Sequence, residues 1–209
     1  MSSMTVLIPC LNEAKTIYSV INDIKKHYPY LPIIVVDNGS TDGTIGIVES
    51  TGVKLIHEAR RGKALAIKAA LPYINSEFVF LMDADNEYEI ESMQYLMKED
   101  VNRYTMIIGV RPKSKMLLRS RLANSLIKFC LYLRYKRTIL DCLTGMRIIP
   151  TGLLRHVKSH GFELETELNL LCIYNNIQII ATPIQYEPRI IGKKIKLLDM
   201  FKLLKVAMQ

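Results

Sequence analysis

Asp83 and Asp85 close a short apolar run, FVFLMDADNE at residues 78–87, with a single alanine between them. A strand alternates its side chains, so residues two apart point the same way. The two carboxylates therefore project together where the strand leaves its sheet. Held that close, they repel each other unless a cation lies between them. Oxygen-only ligation suits a hard ion, Mg²⁺ or Mn²⁺, which keeps waters and takes substrate phosphate oxygens as further ligands. The same residues equally describe an Asp-rich turn that caps a helix beginning near Glu89.

Three more polar clusters follow predicted strand ends. The first strand runs into Pro9-Cys10-Leu11-Asn12-Glu13, and the second ends at Asp37-Asn38-Gly39-Ser40-Thr41-Asp42-Gly43. Two glycines there permit a tight turn and close ligand approach. The third is followed by Arg60-Arg61-Gly62-Lys63, cations at a helix start that suit a diphosphate. Singly, Asn12 reads as a helix cap, Asp37 as a turn carboxylate, and Arg60 and Arg61 as solvated charge. At one sheet edge they together describe a nucleotide pocket, since open α/β sheets bind ligands outside the carboxyl ends of their strands.

The elements that must hold these groups alternate. Strands are expected at 5–9, 33–37, 53–56, 78–82 and 105–110, with helices at 13–27, near 44–49, 62–74 and 90–99 between them. Repeated β-α units imply a mostly parallel, doubly wound α/β sheet with helices on both faces. Longer helices are expected near 115–135, 152–159 and 165–175, then a late strand at 178–183. No linker rich in Pro, Gly or Ser divides the 209 residues, so one domain over 1–209 is expected, with a basic amphipathic tail near 189–209.

Composition narrows the class further. The net charge of +8 is concentrated: residues 111–137 hold nine basic side chains and no acidic one, and the tail from Arg189 adds six against Asp199 alone. Both segments are rich in Leu, Ile, Phe and Met. Basic amphipathic helices suit an anionic membrane surface, and they equally describe surface helices whose apolar stripe packs on the core. Nucleic acid is not an expected partner, because no stacking aromatic set accompanies the charge. Four cysteines without a C-x-x-C spacing read as free thiols in a reducing, cytoplasmic setting. No signal peptide and no membrane-spanning stretch is expected. His27, His57, His156 and His160 have no metal-ligand spacing.

The order PCLNE, VVDNGSTDGT, ARRGKALA, FLMDADNE resembles the family 2 glycosyltransferases of GT-A fold. The later segments DCLTGMR (141–147), GFELETEL (161–168) and PRIIGKK (188–194) resemble the branch that includes dolichyl-phosphate mannose synthase and its prokaryotic relatives. The resemblance implies that Pro9, Leu11, Glu13 and Asp37 contact the nucleoside and that Lys63 lies near the base or diphosphate. It implies that Asp83 assists ribose or metal binding and that Asp85 coordinates the metal. Asp141 and Arg147 fall in the acceptor-side segment, and Arg189 in a late basic motif that meets phosphate.

The chain departs from that pattern in three places. Asn38 stands where the family usually has a second aspartate, a change bearing on base selection. The late motif has no serine and is looser by one residue. Many relatives carry C-terminal transmembrane helices, whereas this sequence ends at Gln209.

The implied reaction is metal-dependent, inverting transfer of a sugar from a GDP- or UDP-linked donor. Asp85, Asp141 and Arg147 form the expected catalytic set. A polyprenyl or dolichyl phosphate acceptor is already anionic and needs cations, for which Arg111, Arg119 and Arg189 are candidates. A small hydroxyl acceptor or a glycan needs a base, for which Glu163, Glu165 or Glu167 are candidates. A non-catalytic nucleotide-sugar-binding protein is the remaining alternative, and intact metal aspartates argue against it.

Overall fold

Three mainly apolar, buried runs, MTVLIPC, IIVVD and FVFL, form the centre of the sheet, where strands are covered on both faces. The computed structural model describes residues 3–161 and 163–189, with positions 203 and 206. The element order is β1 (Met4–Cys10), α1 (Ile17–His27), β2 (Ile33–Asp37), α2 (Thr44–Ser50), β3 (Lys54–His57), α3 (Lys63–Ala70), β4 (Phe78–Leu81), α4 (Ser92–Met97) and β5 (Thr105–Val110). There follow α5 (Leu118–Tyr135), β6 (Arg147–Pro150), α6 (Thr151–Leu154), α7 (Leu164–Tyr174) and β7 (Gln178–Pro183). The basic tail beyond Arg189 lies outside the described residues, apart from Leu203 and Val206, which pack on the core.

The seven strands lie in the order β3-β2-β1-β4-β6-β5-β7. β1 pairs in parallel with both β2 and β4, so the chain winds outward to β3 and returns to the other side of β1. The carboxyl ends of β1, β2 and β4 therefore meet at one edge, on either side of the switch point where such sheets bind ligands. The helices divide between the faces. Ile17, Val20, Ile21 and Ile24 of α1, spaced three and four apart, share one core cluster with Val48 of α2 and Met93 and Leu96 of α4. Ile67 of α3, Ile127 and Leu131 of α5, Leu153 of α6 and Leu168 of α7 fill the other. This is the doubly wound arrangement expected from the alternation.

Two differences from the expected elements matter for the site. The first helix starts at Ile17 rather than Glu13, because the intervening turn is tied to neighbouring loops. Glu13 N donates to Thr44 Oγ1 at 2.9 Å and Thr16 Oγ1 donates to the Ala84 carbonyl at 2.8 Å. The second is β6, a four-residue strand that the sequence did not announce. It runs antiparallel between β4 and β5, pairing Arg147 with Leu81 and with Ile108. Its amino end, not its carboxyl end, thus lies beside the end of β4, which delivers the preceding loop, residues 141–146, to the ligand-binding edge.

Candidate active site

The nucleoside side of the edge is built by two loops that stitch each other. Ser40 Oγ accepts from Asn12 N at 2.9 Å, and Asn12 Oδ1 accepts from Thr41 N at 2.8 Å. Asp37 is buried, and its Oδ2 accepts from Gly39 N and Ser40 N at 3.0 and 3.1 Å. The carboxylate thus fixes the turn that follows β2. Pro9 and Leu11 flank this corner, half-buried at the end of β1.

Asn38 was expected to bear on base selection; here both of its amide atoms are spent on the loop before α3. Its Nδ2 donates to the carbonyls of Glu58 and Arg60 at 3.0 and 2.8 Å, and its Oδ1 accepts from Gly62 N at 2.6 Å. An aspartate could not make the two donations and would set a carboxylate against two carbonyls. Asn38→Asp is therefore expected to lower stability by about 2 kcal/mol, read as a fall in the denaturation midpoint at unchanged slope. Arg60, one of the expected diphosphate cations, is engaged by Glu58, whose carboxylate accepts from its guanidinium at 2.9 and 2.8 Å. Those bonds hold Glu58 down at about 2.

Lys63 opens α3 and reaches across the edge. Its Nζ donates to Asp83 Oδ1 at 2.6 Å and to Glu165 Oε1 at 2.7 Å. Burial opposes its charge, but the two carboxylates outweigh that and hold the ammonium well above its ordinary range. Nothing in the sequence marks Glu165 as Lys63's partner; the two are 102 residues apart.

Asp83 and Asp85 stand in the turn just past the end of β4. Burial first, then the charges of Asp83 and Glu87, push Asp85 up to about 7. A carboxylate strained in this way is relieved by a cation. Arg189 lies 3.8 Å from Asp85 Oδ2 while its guanidinium donates twice to Glu13 at 2.9 Å. The segment after β7 brings it there: Tyr186 bridges to Tyr88, and Glu187 N donates to the Glu87 carbonyl at 2.8 Å. Among the described residues no group of three His, Cys, Asp or Glu side chains could hold a metal by itself. Two carboxylates completed by waters and diphosphate oxygens are the donor set that Mg²⁺ or Mn²⁺ takes alongside a nucleotide, and Asp83 and Asp85 fit it.

Gly145 shows how tightly the loop before β6 meets this pair. A Cβ at Gly145 would lie 1.9 Å from Asp83 Oδ2. Asp83 is pinned by Lys63, so a side chain at Gly145 must displace the carboxylate itself. Gly145→Ala is expected to weaken metal-dependent nucleotide binding at least tenfold (about 1.4 kcal/mol), measured by titration calorimetry, and to lower the unfolding midpoint as well, because displacing Asp83 strips Lys63 of one of its two carboxylate partners.

The acceptor-side residues lie deep in the structure. Arg147, expected in the catalytic set, is fully buried, and its guanidinium donates to the carbonyls of Thr144 and Cys142 and to Asn169 Oδ1 at 2.9, 2.7 and 2.8 Å. Asp141 is 1% exposed and accepts from Arg111 Nε and Nη2, both at 2.8 Å. Asn124 of α5 also donates to it at 3.1 Å and accepts from Cys142 N at 2.8 Å. Arg111, expected to hold acceptor phosphate, is thus consumed by a buried ion pair, with Tyr186 against its face at 5.5 Å. In this structure Asp141, Arg147 and Arg111 form a buried wall that positions residues 141–146. Arg119 stands half-buried on α5, and Arg189 reaches the carboxylate corner. All four cysteines are buried, and no helix among the described residues is long and apolar enough to cross a membrane.

A cleft of about 740 Å³ opens elsewhere, at the other end of β4 and β5, between Ser76, Tyr104, Thr151 and Asn175. It holds none of the site carboxylates.

Comparison with known proteins agrees with this geometry. The model of "Glycosyl transferase family 2" matches residues 5–160. Glycosyltransferase AglJ of Haloferax volcanii is 29% identical over 195 residues, covering 90% of this chain and 64% of that protein. The low-salt glycan biosynthesis hexosyltransferase Agl6 of the same organism is 25% identical over 199 residues, covering 90% of this chain and 48% of that protein. The chain therefore spans between about half and two thirds of these relatives. Among solved structures, glucosyl-3-phosphoglycerate synthase from Mycobacterium tuberculosis, with Mn²⁺, UDP-glucose and phosphoglyceric acid, superposes with a TM-score of 0.81 at 19% identity. That match covers 99% of this chain and 78% of the synthase. The likeness shows the fold, the GT-A arrangement.

Proposed function

Because the chain belongs to glycosyl transferase family 2, we propose that it moves a sugar, with inversion, from a GDP- or UDP-linked donor to a polyprenyl phosphate at a membrane surface. The observation that carries the acceptor choice is the engagement of the candidate bases. Glu165 is buried and bound to Lys63. Glu167 accepts from Lys158 N and Ser159 N, and Glu163 from His160 N and Gly161 N. A hydroxyl acceptor needs a base within hydrogen-bond reach, and these three carboxylates are spent on structure. A phosphate monoester is already anionic at neutral pH and needs none.

In this reading Pro9, Leu11, Glu13 and the turn fixed by Asp37 seat the nucleoside. Asp83 and Asp85 hold Mg²⁺ or Mn²⁺, which when bound neutralises charge developing on the leaving diphosphate. Lys63 keeps Asp83 aimed. Arg189, paired with Glu13 at the mouth of the corner, is the cation placed to exchange that carboxylate for a substrate phosphate. Asp141, Arg111 and Arg147 position the loop beneath.

The test is an acceptor competition with full-length protein, Mn²⁺ and either GDP-mannose or UDP-glucose. Short-chain polyprenyl phosphate, phosphoglycerate (present in complexes of the structurally similar synthase) and a free glycan are the three arms. Glycosylation of the polyprenyl phosphate alone supports the reading; transfer to phosphoglycerate or glycan with none to the lipid phosphate overturns it.

A further inference from the structure

The outer face of α5 carries a second apolar stripe that the core does not use. Ala123, Ile127, Cys130 and Leu131 point inward and are buried. Leu118, Leu122, Leu126, Phe129 and Leu133 are exposed instead, Leu118 at 69%, Leu122 at 60%, Phe129 at 58% and Leu133 at 54%. Their spacing of four, four, three and four residues keeps them within an arc of about 80° along about 22 Å of helix. Exposed leucines are ordinary singly; a continuous row of them marks an interaction surface.

The flanking charge identifies the partner. On helical geometry Arg119 borders one side of the stripe and Arg121 and Lys128 lie beyond the other, with Arg134, Lys136 and Arg137 at its end. No acidic residue occurs between 111 and 137. A second copy of this helix would bring like charges together. An anionic bilayer surface instead offers headgroups to the cations and acyl chains to the stripe. Six cations over residues 118–137 also suit a helix lying in the interface rather than crossing it.

We propose that α5 is the face by which this protein lies on an anionic membrane, with Leu118, Leu122, Leu126, Phe129 and Leu133 immersed at the headgroup boundary. The proposal rests on the lipid-acceptor reading for its biological sense only; its physical basis is the stripe and its charge. The buried side of the same helix supplies Asn124, which holds Asp141 and Cys142. The bilayer is thereby placed one helix away from the loop that touches Asp83.

The experiment is flotation of the full chain with phosphatidylcholine vesicles and with vesicles containing phosphatidylglycerol, both free of polyprenyl phosphate and nucleotide. Binding is expected to the anionic vesicles and to weaken with salt. Leu122→Glu/Phe129→Glu should lower it at least tenfold, since burying each side chain is worth a factor of roughly ten or more. Arg121→Glu/Arg137→Glu, both exposed, should lower it about thirtyfold or more, at roughly fivefold per charge removed. Because these side chains are exposed, both variants should unfold at the wild-type temperature. Transfer to a water-soluble short-chain acceptor should persist in Leu122→Glu/Phe129→Glu, so loss of vesicle binding is separable from loss of the proposed chemistry. Absent binding by the wild type, or undiminished binding by either variant, overturns the proposal. So does a concentration-dependent dimer abolished by Leu122→Glu/Phe129→Glu, which would assign the stripe to a second copy.

Discussion

Asp85→Ala is expected to lower sugar transfer by about a thousandfold, the scale lost when a main electrostatic stabiliser of developing charge is removed. The effect should fall on turnover and on nucleotide affinity together, and added Mn²⁺ should not rescue it. The fold should not suffer. Burial and the neighbouring carboxylates raise Asp85 to about 7, above its ordinary unfolded value of about 4. An acid whose pKa is raised by folding destabilises the folded state once it ionises, and the penalty grows as pH rises from the unfolded value to the folded one. With metal chelated, Asp85→Ala should therefore raise the unfolding temperature at pH 8 and leave it unchanged near pH 4. An inactive variant that unfolds earlier at pH 8 would mean that Asp85 serves structure instead.

Asp141→Ala is expected to have the largest effect on stability. It strips the buried Arg111 guanidinium of both its bonds and removes an acceptor from Asn124 Nδ2. Breaking a buried pair by deleting one partner costs about 3–5 kcal/mol, roughly a 10 °C fall in the unfolding midpoint for a chain of this size. The penalty comes from the stranded charge, so replacing both partners, Arg111→Met/Asp141→Leu, should recover much of the loss. That double-mutant cycle separates a wall residue from a catalytic one. A residue that acts only on substrate would leave the midpoint where it was and show no coupling with Arg111.

The strand ends were readable in the sequence because one physical rule governs them. Continuous apolar runs such as IIVVD and TMIIGV become strands covered on both faces, and the polar residues that follow fall at the sheet edge. β2, β5 and β7 have the boundaries that the pattern implies, whereas β4 ends at Leu81 and Asp83 and Asp85 lie in the turn after it, where strand alternation no longer applies. β6 was missed because RIIP is only four residues long and ends in proline, and its antiparallel partners lie far away in sequence. The same omission hid the role of Arg147: without β6 there was no reason to bury it. Side-chain pairings across long separations, such as Lys63 with Glu165, leave no local trace. The helix at 118–135 was legible as basic and amphipathic, but its apolar residues form two stripes. Packing on the core and facing outward were read as alternatives, and the helix does both.

The central claim, that the end of β4 is a metal-diphosphate site, is tested most directly by titrating UDP and GDP into the wild-type protein with Mn²⁺ and then with chelator. One nucleotide should bind with Mn²⁺, weaken at least tenfold when the metal is removed, and fail to regain affinity in Asp85→Ala. Equal affinity with and without metal, or binding in Asp85→Ala indistinguishable from wild type, would contradict it.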